Sequence, residues 1–186
     1  MLTLLRAGFV ALISLASANV LAGGLLEAQY AGAFNSNNSY TSSAGTSYSN
    51  SGSVDLRFLG LGGRYIFESV GSERLNLEGN VAYFLAAQDK STNDISILEL
   101  GLGASLNFGP HKPFAGLLYS QFYESNSPLN IRPDLGYQLG YRYEFGPHSI
   151  FANLSWRKLR SDNAPSVNDQ RTTISMWSVG YGYQIF

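Results

Sequence analysis

Trp177-Ser178-Val179-Gly180-Tyr181-Gly182-Tyr183-Gln184-Ile185-Phe186 alternates large apolar residues with small or polar ones up to a closing aromatic. Successive side chains of an extended strand point to opposite sides. Trp177, Val179, Tyr181, Tyr183 and Ile185 therefore share one face, and Ser178, Gly180, Gly182 and Gln184 the other. Similar stretches recur along the chain behind an export-like N-terminus. The combination predicts a β-barrel turned inside out, its apolar side chains facing lipid.

Residues 1–22 read as a secretory signal. Arg6 stands near the start, Ala7 to Leu15 form an apolar core, and Ala18-Asn19-Val20-Leu21-Ala22 offers a small-residue cleavage site. The apolar stretch falls short of the roughly 20 residues that a spanning helix needs. Residues 23–186 are then a single domain by length. Without Arg6, the 12 Lys+Arg become 11 against 13 Asp+Glu, a net charge of −2. No polybasic footprint for nucleic acid is present, and the absence of cysteine removes disulfide and thiol chemistry.

Eight strand-like segments are predicted, at about 26–34, 54–67, 75–85, 97–108, 114–123, 135–145, 150–159 and the tail. In the third, Leu75, Leu77, Val81, Tyr83 and Leu85 oppose Asn76, Glu78, Asn80 and Ala82. The fourth, sixth and seventh alternate as cleanly. The second changes phase at Gly60-Leu61-Gly62-Gly63, as a β-bulge would make it do. The fifth is apolar on both faces, so its facing stays open. Long connections are expected at 35–52, 87–94, 125–134 and 160–171, and short ones at 68–74, 109–112 and 146–148. The polar 35–52 stretch reads as a long mobile loop. Phe108-Gly109-Pro110-His111 and Phe145-Gly146-Pro147-His148 are copies of one turn motif and place both turns on the same side.

The fold expected is all-β, an eight-stranded antiparallel up-and-down transmembrane β-barrel with short turns and both termini on the periplasmic side. A soluble lipocalin-type barrel is the alternative. Three features favour the membrane: an apolar face almost without charge, a polar face too lean for a solvated surface, and aromatics gathered at segment ends.

The chain resembles the small outer-membrane β-barrels of Gram-negative bacteria, the OmpA/OmpX kind. In that group the last strand ends in an aromatic read by the barrel-insertion machinery, a position that Phe186 fills. The group also keeps apolar residues at alternate positions before that aromatic, where this chain has Gln184, Gly182 and Gly180. The resemblance implies an outer-membrane location among lipids and lipopolysaccharide. Lipid A deacylases and palmitoyltransferases share the architecture and use a His with Ser and an acid near the outer end. Here His111 and His148 fall in the expected periplasmic turns, where turn chemistry explains them.

Glu78, Glu99, Arg142, Glu144 and Arg157 lie on predicted inward faces, and Arg57 joins them if the bulge begins beyond it. An eight-stranded barrel is just wide enough to be filled by side chains, and buried ions must pair. Two readings follow: a salt-bridge network that plugs the lumen, or a gated, narrow ion pathway. Tyr119, Gln121, Tyr123 and Glu124 are a further candidate lining of the outer mouth, with Arg132 in loop three and Arg160, Asp162, Asp169 and Arg171 in loop four. No residue pattern points to a metal or cofactor. The function expected is a monomeric, non-enzymatic outer-membrane protein presenting surface loops, for envelope integrity or surface interaction. A narrow porin-like channel is the alternative, and a lipid-modifying enzyme the third.

Overall fold

The computed structural model describes residues 23–42, 46–67, 74–87, 95–124, 131–161 and 167–185. Residues 1–22 and Phe186 lie outside them, so the expected signal and insertion residue do too. Eight strands follow in chain order: β1 (Gly23–Ser42), β2 (Ser47–Phe67), β3 (Leu75–Ala86), β4 (Ile95–Leu106), β5 (His111–Glu124), β6 (Ile131–Phe145), β7 (His148–Ser161) and β8 (Val167–Gln184). Each pairs antiparallel with its neighbours, and β8 returns to β1 to close the barrel.

The closure is staggered. Pairing runs from Gly24 through Tyr65, Gly79, Leu102, Leu117, Tyr137, Trp156 and Ser175, and returns to β1 at Asn35 rather than Gly24. Such a shift tilts the strands against the barrel axis. It also decides which side chains from distant strands meet inside.

The outward wall is apolar. Leu61 and Leu102 are 71% and 70% exposed, with Leu59, Leu100, Leu117, Leu139, Ile150 and Val179 around them. Water would penalise this surface, and lipid does not. Aromatics border it at both ends. Tyr30–Trp177 and Tyr137–Trp156 pair towards the long connections, and Tyr65–Phe67 and Tyr143–Phe145 towards the short turns.

Several expectations change. The stretch 35–52 is largely strand, since β1 and β2 stay paired to Thr41↔Ser47. Its Ser, Asn and Tyr residues give no apolar alternation to detect. The backbone ladder, the Tyr40–Tyr48 stack and Thr172 Oγ1 donating to Asn38 hold it instead. No shift occurs at Gly60–Gly63. The irregularity lies in β1 between Ala33 and Asn35. In the upper half of β2 the apolar Val54, Leu56 and Phe58 look inward, while Asp55 and Arg57 look out, followed on the same outward face by Leu59 and Leu61. Strand β5 resolves with Phe114 and Leu118 inward and Leu117 and Tyr119 outward. The tail runs in continuous register from Met176 to Gln184, with Val179, Tyr181 and Tyr183 on the outside.

Both copies of the Phe-Gly-Pro-His motif are two-residue hairpin turns. Gly109 and Gly146 adopt φ of 67° and 62°, the first-position requirement that brings glycine to such turns. A Cβ there is unfavourable for conformational reasons alone, since the space around both is open. Gly146→Ala is expected to cost about 1–2 kcal/mol, measured by urea unfolding of the refolded barrel.

Candidate functional site

The lumen holds the buried charges, in layers. Nearest the short turns, Arg64 Nε lies 2.6 Å from Glu27 Oε1, and its Nη1 lies 2.8 Å from Glu78 Oε2. Arg142 reaches Glu78 from the opposite wall, with Nη2 to Oε1 at 2.6 Å and Nη1 to Oε2 at 3.2 Å. Its Nε donates to Glu144 Oε1 at 3.0 Å. Lys112 Nζ stands 3.6 Å from Glu144 Oε2 and donates to Asn107. Three cations thus meet three carboxylates. The fork of Arg142 engages both oxygens of Glu78, the strong form of this contact. Phe114 lies 4.8 Å from the Arg64 guanidinium, giving it an aromatic face.

An amide relay comes next, with Asn153 Nδ2 donating to Gln138 Oε1 at 3.0 Å and Gln138 Nε2 to Asn80 Oδ1 at 3.4 Å. A second ion pair follows. Arg157 places Nη2 2.6 Å and Nε 2.7 Å from Glu99 Oε2, and Ser120 donates to the same oxygen. Arg157 also bonds Ser155. Beyond it, towards the long connections, Ala31, Ala33, Phe58, Ala82, Phe84, Ile97 and Met176 fill the lumen as an apolar cluster. Val54, Leu56, Ile95, Phe122 and Ile174 pack against it. A cavity of about 180 Å³ opens among Asn76, Lys112, Glu144 and Gln184 at the short-turn end.

The interior thus holds two layers, paired ions nearer the short turns and packed hydrocarbon nearer the long connections. The sequence model of the Gram-negative porin family matches residues 11–186. The chain belongs to that family. It is an outer-membrane protein, and its wall crosses the membrane with strands. Among solved structures, the outer membrane protein OprG from Pseudomonas aeruginosa is similar at 13% identity and a TM-score of 0.51, over 88% of this chain and 95% of that one. Ail, the attachment invasion locus protein of Yersinia pestis, aligns at 13% identity and a TM-score of 0.41, over 86% and 98%. The outer membrane protease OmpT from Escherichia coli aligns at 7% identity and 0.46, over 88% and 97%. At these identities the likeness is one of fold alone. A search of curated proteins found no match.

In this porin-family barrel the predicted charges divide. Glu78, Arg142 and Glu144 meet in one cluster, and Glu99 and Arg157 form the separate upper pair. Arg57 belongs to neither. It pairs across the wall with Gly32 on the outward face, bridges to Asp55 at 2.9 Å, and lies 5.7 Å from the Trp177 ring. With no bulge at Gly60–Gly63, its parity is outward. The unbroken parity that excludes Arg57 admits Arg64, which the sequence reading missed. Glu27 was not among the predicted charges either, since its partner Arg64 lies 37 positions away. Lys112 was assigned to a turn and is inward-facing in β5. Tyr119, Gln121 and Tyr123 do not line the mouth. They alternate onto the outward wall, opposite Leu100, Leu98 and Ser96. The histidines meet tyrosines: His111 Nδ1 the Tyr141 hydroxyl, and His148 Nδ1 that of Tyr181.

Proposed function

We propose that the chain is a closed, non-enzymatic scaffold of the outer membrane, anchoring exposed connections for envelope integrity or surface interaction. The observation that carries this is the double plug. Ion pairs join opposite walls at one level, and Phe58, Phe84, Ile97 and Met176 are packed at another. An aqueous pathway would have to break the first and wet the second, whereas water-filled lumens belong to barrels of about 16 strands. The His–Tyr pairs at the short turns support the non-enzymatic part, since both sit at the aromatic border of the wall. In the same reading the short turns face the periplasm and the barrel is a monomer. Residues 1–22 are removed on export, and Phe186 addresses the insertion machinery.

The scaffold projects. β1, β2 and β8 extend beyond Phe58↔Ala86, the last described pairing of β2 with β3. One face of their extension carries Asn38, Tyr40, Tyr48, Asn50 and Thr172, a neutral polar surface suited to contact outside the membrane, and the exposed Arg171, opposite Ser39, stands on the other face.

Planar-bilayer recording tests the closed lumen against the porin-like alternative. The refolded wild type is expected to give no steady conductance steps. Reproducible steps at single-molecule insertion would overturn the scaffold reading and establish a channel.

A further inference from the structure

The cavity of about 180 Å³ at the short-turn end lies beside the lower ion cluster. Lys112 and Glu144 line it, together with Asn76, Ser149 and Gln184. Lys112 is buried and Glu144 is partly exposed, so one charge of each sign borders the same space. Lys112 Nζ and Glu144 Oε2 stand 3.6 Å apart, beyond the roughly 2.7–2.9 Å of a direct charge-assisted hydrogen bond. The two ions are neighbours that do not exhaust each other. An ammonium carries three donors, and Asn107 takes one of them. Ser149 is fully buried, and its hydroxyl meets no hydrogen-bond partner among the described residues. A buried polar group without a partner is costly.

Charge balance narrows what this cavity can take. Arg64, Arg142 and Lys112 already offset Glu27, Glu78 and Glu144. A lone anion would find Lys112 but stand beside Glu144, and a lone cation would meet the reverse. Either would unbalance a cluster that is largely withdrawn from water. A neutral alcohol would engage both ions with dipoles alone. A zwitterion adds no net charge and gives each ion an opposite one. An α-amino acid carries its ammonium and carboxylate on one carbon, a spacing that suits two protein ions held side by side. The volume is below the roughly 300 Å³ at which drug-sized pockets begin, so the side chain must be small.

We infer that the short-turn cavity is a binding site for a small α-amino acid in its zwitterionic form. Glu144 takes the ammonium, and Lys112 and the Ser149 hydroxyl donate to the carboxylate. The site rests on the geometry of the lower ion cluster and not on the closed lumen or the exposed connections. A conducting wild type would therefore sink the scaffold reading and leave this site standing.

The test is equilibrium dialysis of the refolded chain in detergent against radiolabelled glycine. Saturable uptake approaching a single glycine per barrel is expected in the millimolar range, with L-alanine competing. Glycinamide keeps only the cation and N-acetylglycine only the anion, and neither is expected to compete. Lys112→Gln should lose the saturable uptake, while Arg57→Gln, on the outward wall, should keep it. If Lys112→Gln refolds poorly, Ser149→Ala takes its place. That change removes a hydroxyl with no described partner, so the compact gel band should persist while uptake weakens about tenfold. Absence of saturation, equal competition by either single-charge analogue, or unchanged uptake in the variant used would each overturn the site.

Discussion

Arg142→Ala is expected to lower the unfolding free energy of the barrel by about 3–5 kcal/mol, the usual penalty for stranding a buried ion. Arg142 is 1% exposed and serves both Glu78 and Glu144. After the change Glu78 keeps Arg64 alone, and Glu144 keeps Lys112 at 3.6 Å. Three carboxylates then face two cations, with Glu27 and Glu78 buried and Glu144 at the cavity near the short turns. Arg142→Lys should recover only part of the loss, because an ammonium offers a point charge where Glu78 and Glu144 meet a fork. The upper pair supplies the contrast. Removing both of its charges, in Glu99→Leu with Arg157→Met, should cost far less, since no ion is left behind and Phe84 and Ile97 adjoin the site. Urea unfolding of refolded protein, followed by tryptophan fluorescence, measures all three. Equal losses for Arg142→Ala and the double replacement would show that packing, and not charge balance, sets the stability of the lumen.

Phe84→Ala is expected to cost about 3–5 kcal/mol through the cavity it leaves. The ring is 1% exposed and packs against Gly60, where an added Cβ would sit 2.6 Å from its Cδ1. The Arg157 guanidinium lies 5.6 Å from the ring centroid. One side chain thus fills the glycine gap in β2, closes the apolar layer and covers the upper ion pair. Gly60→Ala should be destabilising by crowding the same ring. Combined with Phe84→Ala its cost should largely vanish, because the clashing partner is gone. The same unfolding assay gives the double-mutant cycle, and simple additivity would argue against the contact.

The facing of β3, β4, β6, β7 and β8 was legible in the sequence because each alternates apolar with small or polar residues, and the period of two leaves one solution. The two Gly-Pro turns were legible because Gly109 and Gly146 supply a backbone conformation that other residues resist. Most of β5 was not, because both of its faces are apolar. The upper half of β2 was not, because there the apolar residues Val54, Leu56 and Phe58 face the lumen and the charged Asp55 and Arg57 face out, the reverse of the other strands. Arg57 was therefore assigned to the wrong side and Arg64 was missed. The polar stretch at 35–52 hid a strand pair for a related reason. Ladder hydrogen bonds are made by backbone groups that every residue carries.

What the sequence determined by itself was the number of strands, their up-and-down order, an apolar wall and a set of charges to be buried. Alternation and turn chemistry are local, and local order is enough to state them. Which charge meets which was decided only by closure. Glu78 and Arg142 are 64 positions apart, and the stagger that carries Gly24 round to Asn35 sets the height at which opposite walls meet. The same stagger stacks an apolar layer above an ionic one. Those outcomes depend on the sum of pairings around the whole barrel, a quantity that no single strand contains.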